Sequence, residues 1–155
     1  MNHPNIPKLI VVDGLSGSGK TTTCRWLEQL HHQHQVPAHG IYEADVPHPL
    51  HWWDYWDGTQ HHGPDFERVS AATYIERSIE RWTQFADSVR RSDEIVIVEG
   101  PLYCLAVWMF LQGNTPTQQI VTYIERVETV IWSVAPLLIY LRPICGTGIC
   151  VASMA

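Results

Sequence analysis

The stretch VVDGLSGSGKTTT, from Val11 to Thr23, joins an apolar run to a loop that is rich in glycine. The β-branched residues between Lys8 and Val12 predict a short buried strand before the loop. From Gly19 to about Gln35 the apolar residues recur at helical spacing, so a helix is predicted after it. The stretch therefore predicts a tight turn that leads from the end of a strand directly into a helix.

Residues Gly14 to Thr21 match the spacing G-x-x-x-x-G-K-[ST] of a phosphate-binding loop. Glycine permits backbone angles that turn successive N–H groups toward one anion, and the helix N-terminus adds further N–H groups. In such loops the lysine reaches the β- and γ-phosphates and the hydroxyl binds Mg²⁺. We predict that ATP and Mg²⁺ bind here, with Thr21 as a metal ligand. The predicted binding residues are Gly14, Ser16, Gly17, Ser18, Gly19, Lys20, Thr21 and Thr22.

Strand-like and helical segments alternate along the rest of the chain. Further strands are predicted at His39–Glu43, Glu94–Val98 and Leu137–Leu141, and further helices at about 66–91, 102–111 and 116–134. This alternation predicts right-handed crossovers and a parallel sheet. We predict one α/β domain over residues 1–155, in three layers, with helices on both faces of the sheet.

Composition excludes several classes of partner. The net charge is −6 and the chain has only two lysines, so its surface does not suit a nucleic acid polymer. No apolar run approaches the roughly 20 residues that a membrane span needs, and the N-terminal residues lack the pattern of a signal peptide. The spacing of the four cysteines does not match a disulfide framework, so we interpret them as reduced thiols. We predict a cytoplasmic protein that binds neither nucleic acid polymer nor membrane.

The predicted third strand ends in a single acid, Glu99, followed by Gly100 and Pro101. Ligands bind at the carboxyl ends of strands in parallel α/β sheets. A carboxylate at this place can hold the Mg²⁺ shell or orient an acceptor hydroxyl, and the alternative is a solvated glutamate. The chain has no lysine after Lys20, so it lacks the Asn-Lys-x-Asp motif by which GTPase switches read guanine. We predict that Glu99 acts with Thr21 at the metal.

Several segments together resemble the thymidylate kinase and deoxynucleoside kinase group of P-loop kinases. Besides the phosphate loop they are YEADVPHPLHWWDYW after strand two, YIERSIERW in the next helix, VIVEGPLYC at strand three and LLIYLRP at strand four. The resemblance spans about residues 8 to 143. It implies the strand order 2-3-1-4 and transfer of the γ-phosphoryl group of ATP to a nucleoside or nucleoside monophosphate.

The same resemblance implies residues on the acceptor side. In that group an acid just after strand two lies near the acceptor, which here is Glu43, with Asp45 second. An arginine of the following helix faces the acceptor's phosphate or sugar, and Arg77 falls at about that position. The third strand of the group typically ends in an acid and an arginine, whereas Gly100 stands in the arginine's place. The implied catalytic residues are Lys20, Glu43, Arg77 and Glu99.

The residues of this helix allow two interpretations. At 100° per residue Tyr74, Arg77 and Arg81 share one stripe beside the apolar face. Two arginines beside a tyrosine could bind a phosphate while the ring packs on a base. The alternative is a solvated flank in which they form helical ion pairs with Glu76 and Glu80.

The aromatic loop between strand two and this helix is equally open. Its members are Trp52, Trp53, Tyr55 and Trp56. They could form a stacking wall for a nucleobase, or they could simply pack the loop onto the body of the domain.

The resemblance also implies an arginine-bearing lid, a helix and a fifth strand after strand four. Residues 144–155 carry no charge and match none of these. We therefore expect a truncated or frame-altered version of a longer kinase. Two other functions stay open, a nucleotide-binding module without transfer and a kinase of a non-nucleotide small molecule. A homodimer also stays open.

Overall fold

The computed structural model describes residues 7–51, 55–56, 61–62, 70–103, 106 and 115–142. Its four longer strands are β1 (Leu9–Gly14), β2 (Ala38–Ile41), β3 (Ile95–Glu99) and β4 (Pro136–Leu141). Its α-helices are α1 (Lys20–Gln33), α2 (Ala71–Arg91) and α3 (Thr117–Ile131), with a 3₁₀ turn at Trp132–Val134. No helix in the described part of the chain is long and apolar enough to cross a membrane.

Some sequence predictions fall outside the described residues. They are Trp52 and Trp53 of the aromatic loop, the start of the second predicted helix at 66–69, most of the predicted helix at 102–111 and the tail at 144–155. Within that loop the backbone forms two antiparallel strands of two residues each, Tyr55–Trp56 and His61–His62.

The four longer strands form one parallel sheet in the order β2-β3-β1-β4, which confirms the predicted order 2-3-1-4. The two central strands β1 and β3 are buried along their whole length, because helices cover both of their faces. Val12 of β1 pairs with Glu99 of β3 on one side and with Ile139 of β4 on the other. The carboxyl ends of three strands therefore meet where the phosphate loop begins.

Alternation along β1 divides the core into two layers. Ile10 and Val12 pack in a cluster with Cys24 and Leu27 of α1. Leu9 and Val11 belong to a second cluster, on the other face, with buried side chains of α2 and α3. The structure is therefore the predicted three-layer α/β arrangement with helices on both faces of the sheet.

Helix α2 is oriented by its connections. The Ser70 hydroxyl caps its start by accepting a 3.2 Å hydrogen bond from the Thr73 N–H, and three residues separate its end from β3. At its end the Lys8 ammonium donates to the carbonyls of Arg90 and Ser92. Because α2 runs back toward the amino end of β3, its first turns lie toward the carboxyl edge of the sheet.

Candidate nucleotide-binding site

Three glycines shape the turn from β1 into α1. Gly14 has φ +146°, and a Cβ there would lie 2.0 Å from the carbonyl oxygen of Leu141 on β4, so only glycine fits. Gly17 and Gly19 have φ +75° and +94°, and a Cβ on either would meet no atom within 4 Å. Gly14 is thus required by the close approach of β4, whereas the space beside Gly17 and Gly19 is open.

The start of α1 presents donors to this open space. Gly19 is the N-cap residue and no side chain caps the helix. The helical hydrogen bonds begin with the Thr23 N–H, which donates to the Gly19 carbonyl at 2.9 Å, so the preceding N–H groups have no partner within the helix. The Ser18 hydroxyl is buried and has no hydrogen-bond partner among the described residues. These donors suit the oxygens of a bound phosphate.

Lys20, the first residue of α1, points back into the loop. Its side chain is only 7% exposed, and its ammonium donates to the carbonyls of Gly14 at 3.2 Å and Leu15 at 3.4 Å. It also lies 3.9 Å from Glu43 Oε2. These carbonyl contacts are long for hydrogen bonds, so phosphate oxygens could replace them at little cost.

Thr21 and Glu99 meet at the base of the loop. The Thr21 hydroxyl donates to Glu99 Oε1 at 2.5 Å, and the Glu99 side chain is buried. The other carboxylate oxygen accepts a 3.3 Å hydrogen bond from the Glu43 N–H. Hydroxyl and carboxylate oxygens are the ligands that Mg²⁺ prefers. The structure brings the two residues together, and their binding of the metal stays a prediction.

Gly100, at the tip of β3, lies against both Lys20 and Glu43. Its φ is +69°, and a Cβ there would lie 3.1 Å from Lys20 Cε and 3.3 Å from Glu43 Oε2. The arginine that the resemblance places here would need this space. Glycine in place of that arginine lets the tip of β3 pass directly against Lys20.

The acceptor-side acids Glu43 and Asp45 differ in their surroundings. Glu43 is 55% exposed and reaches the loop lysine, as described above. Asp45 Oδ2 accepts a 2.7 Å hydrogen bond from the Tyr42 N–H and so closes a turn after β2. The geometry favours Glu43 over Asp45 for contact with an acceptor.

Two arginines of α2 share a polar hollow. Arg77 and Arg81 line a polar hollow of about 310 Å³ along the helix, together with Glu80 and Gln84. Two hydrogen bonds, of 2.7 and 3.0 Å, join Glu76 instead to the guanidinium of Arg126 on α3 and lower the pKa of Glu76. Contact of Arg77 with an acceptor stays a prediction.

A buried histidine, His48, was missed by sequence reasoning. Its Nδ1 accepts a 3.2 Å hydrogen bond from the Leu50 N–H, and its ring stacks on that of His51 at 3.9 Å between centroids. Burial, with a smaller contribution from His51, lowers the pKa of His48 to about 3. The ring is therefore neutral in the folded protein. No sequence pattern distinguished it from the exposed histidines, since only the tertiary packing buries it.

Comparisons with known proteins give likeness of fold at low identity. The protein APE1195 is 19% identical with a TM-score of 0.47, over 87% of this chain and 60% of that one. A mutant of the Mycobacterium tuberculosis APS kinase is 14% identical with a TM-score of 0.42, over 89% and 77%. The thymidylate kinase of Ehrlichia chaffeensis is 16% identical with a TM-score of 0.41, over 88% and 89%.

This chain thus spans 60% of the length of APE1195. No protein-family model matches the chain, and no curated protein matches it significantly. The chain's own geometry, a parallel sheet of order 2-3-1-4 with a glycine-rich loop between β1 and α1, is that of an α/β P-loop fold.

Proposed function

We propose that the chain is an ATP-dependent kinase that transfers the γ-phosphoryl group to a nucleoside or a nucleoside monophosphate. One observation carries the proposal. A buried loop lysine, a Thr21–Glu99 oxygen pair and the exposed carboxylate of Glu43 all meet at the carboxyl edge of the sheet. The first two features suit a magnesium-bound triphosphate, and the third suits a hydroxyl group that attacks it.

The donor side fits the implied ligand. The Ser18 hydroxyl has no partner among the described residues, the space beside Gly17 and Gly19 is open, and the oxygens of Thr21 and Glu99 suit Mg²⁺. When bound, Mg-ATP supplies the phosphoryl group. The role of Lys20 is to stabilise negative charge on the phosphate oxygens, which is the main task of a protein in this chemistry.

On the acceptor side, Glu43 is the candidate general base. Its carboxylate is 55% exposed and lies 3.9 Å from Lys20 Nζ, so a hydroxyl that contacts it would also be close to the lysine that holds the phosphates. Arg77 and Arg81 are proposed to bind the phosphate of a nucleoside monophosphate from the polar hollow of α2.

The decisive experiment compares the chain's two lysines. The protein is incubated with Mg-ATP and a panel of nucleosides, nucleoside monophosphates, APS and small alcohols, and ADP release is followed. In Lys20→Met we expect acceptor-dependent turnover to fall by about 100-fold or more. Lys8→Met is the matched control, because the Lys8 ammonium donates to the carbonyls of Arg90 and Ser92 at the end of α2. Equal turnover by both variants would refute the proposed role of Lys20.

A nucleotide-binding module without transfer is the second candidate. The observation that favours it is Gly100 at the tip of β3, which stands where the resembling kinase group carries an arginine. ATP binding that depends on Lys20, without ADP release on any member of the panel, would establish this candidate instead. Turnover on the small alcohols alone would identify a kinase of a non-nucleotide acceptor.

A further inference from the structure

We propose that Asp13 is a positioning residue that fixes the tip of β3, with Glu99, against the phosphate loop. Asp13 is the residue before the first loop glycine, and its side chain is fully buried. The inference rests on the proposed function, because it concerns the alignment of the residues that would hold the nucleotide and its metal.

The carboxylate of Asp13 binds backbone from two separate segments. Its Oδ1 accepts a 2.6 Å hydrogen bond from the N–H of Gly14, where the loop begins. Its Oδ2 accepts hydrogen bonds from the N–H groups of Leu102 at 2.9 Å and Tyr103 at 2.7 Å. Hydrogen bonds to a buried charged acceptor are the strongest of their kind, so one side chain ties the loop to the segment after β3.

These contacts continue the β1–β3 ladder beyond its end. The last paired residues are Val12 and Glu99, and the Gly100 N–H then donates to the Val12 carbonyl at 2.8 Å. Beyond Gly100 the chain turns, and the side chain of Asp13 replaces the backbone as the acceptor. The position of the turn relative to β1 is therefore set by a carboxylate.

Residues on both sides of this connection touch the candidate site. Glu99, just before the turn, accepts a hydrogen bond from the Thr21 hydroxyl, and Gly100 lies against Lys20. Tyr103, at the far end of the turn, donates from its hydroxyl to Glu128 of α3 at 2.8 Å. Tyr103 is thus held through its N–H by Asp13 and through its hydroxyl by α3, and Asp13 is the contact on the side of the phosphate loop.

The test is Asp13→Asn, which keeps the shape of the side chain but replaces one acceptor oxygen with an NH₂ donor. An amide oxygen can serve either the Gly14 N–H or the N–H groups of the turn, but not both sites. ATP affinity is measured by titration with Mg²⁺ and with EDTA in place of Mg²⁺, and thermal unfolding is recorded beside it. The Mg²⁺-dependent gain is the ratio of the ATP affinity with Mg²⁺ to the ATP affinity with EDTA. We expect this gain to fall about 10-fold in Asp13→Asn, with a smaller change in the metal-free affinity.

Ser78→Ala is the matched control. The Ser78 hydroxyl shares a buried 2.6 Å hydrogen bond with the Tyr123 hydroxyl between α2 and α3, away from the loop. Its loss should lower the unfolding temperature without altering the Mg²⁺-dependent gain. A merely structural Asp13 would behave in the same way, so an unchanged gain in Asp13→Asn overturns the proposal.

Failure of the proposed function gives a different result. If the wild-type protein shows no ATP binding that depends on Lys20, both the proposed kinase function and the proposed role of Asp13 are refuted. If the wild type binds ATP with a clear Mg²⁺-dependent gain and Asp13→Asn retains all of this gain, only the proposed role of Asp13 is refuted. Amide hydrogen exchange at Gly14, Leu102 and Tyr103 supplies a second readout, which should rise in Asp13→Asn and stay unchanged in Ser78→Ala.

Discussion

The donor and acceptor sides of the candidate site are built in different ways. The donor side, Asp13 to Thr21, uses consecutive residues whose shape is fixed by backbone angles and by a buried lysine. The proposed acceptor side draws Glu43 from the segment after β2 and Arg77 from α2, and both residues are exposed. A site for a constant group such as a triphosphate can be rigid, whereas exposed side chains on separate elements leave room for variation in the acceptor.

The strongest test of this difference is Gly14→Ala. The added Cβ would clash with the Leu141 carbonyl and would occupy a φ of +146°, so we expect the free energy of unfolding to fall by about 4 kcal/mol. Urea denaturation measures the loss. Gly17→Ala is the control, since its Cβ meets no atom within 4 Å and only its φ of +75° costs energy, about 1–2 kcal/mol. Similar losses in the two variants would contradict a loop that is fixed by β4.

A second test separates the two sides. In Arg77→Ala and Arg81→Ala we expect the KM of a nucleoside monophosphate to rise about 10-fold each, because a charged hydrogen bond to its phosphate is lost. The ATP affinity should not change. Arg91→Ala, at the other end of α2, serves as the control. A change in ATP affinity with an unaltered acceptor KM would assign these arginines to the donor side instead.

A third test concerns the pH dependence of stability. His48 titrates near 6.5 when unfolded but has a pKa of about 3 when folded, so between these values the unfolded chain holds more protons. The free energy of unfolding should therefore decrease as the pH falls through this window. His48→Leu should flatten the decrease, and His34→Ala, on the exposed end of α1, should leave it unaltered. Unfolding temperatures between pH 7.5 and 4 measure both slopes, and equal slopes in His48→Leu and the wild type would be contrary to expectation.

Much of the fold could be predicted from the sequence because its signals are local. The strand before Gly14, the glycine spacing and the periodicity of α2 each lie within a few consecutive residues, and the strand order came from a resemblance. The observed ends of the elements differ from the predicted ends by a few residues, as for β2, which ends at Ile41 instead of the predicted Glu43. The place of Glu99 at the end of β3 was also predicted, because a lone acid after a buried strand is visible in the sequence, and its binding of a metal stays a prediction.

The sequence by itself determined that a strand, a glycine loop and a helix would follow one another in a tight turn, since steric limits on the backbone act between neighbouring residues. Only the tertiary structure decided which distant groups meet there. It set Glu43 beside Lys20, turned Gly100 against the same lysine and buried Asp13 under the turn after β3. Such contacts depend on strand register and on close packing between segments far apart in the chain, which no local pattern encodes.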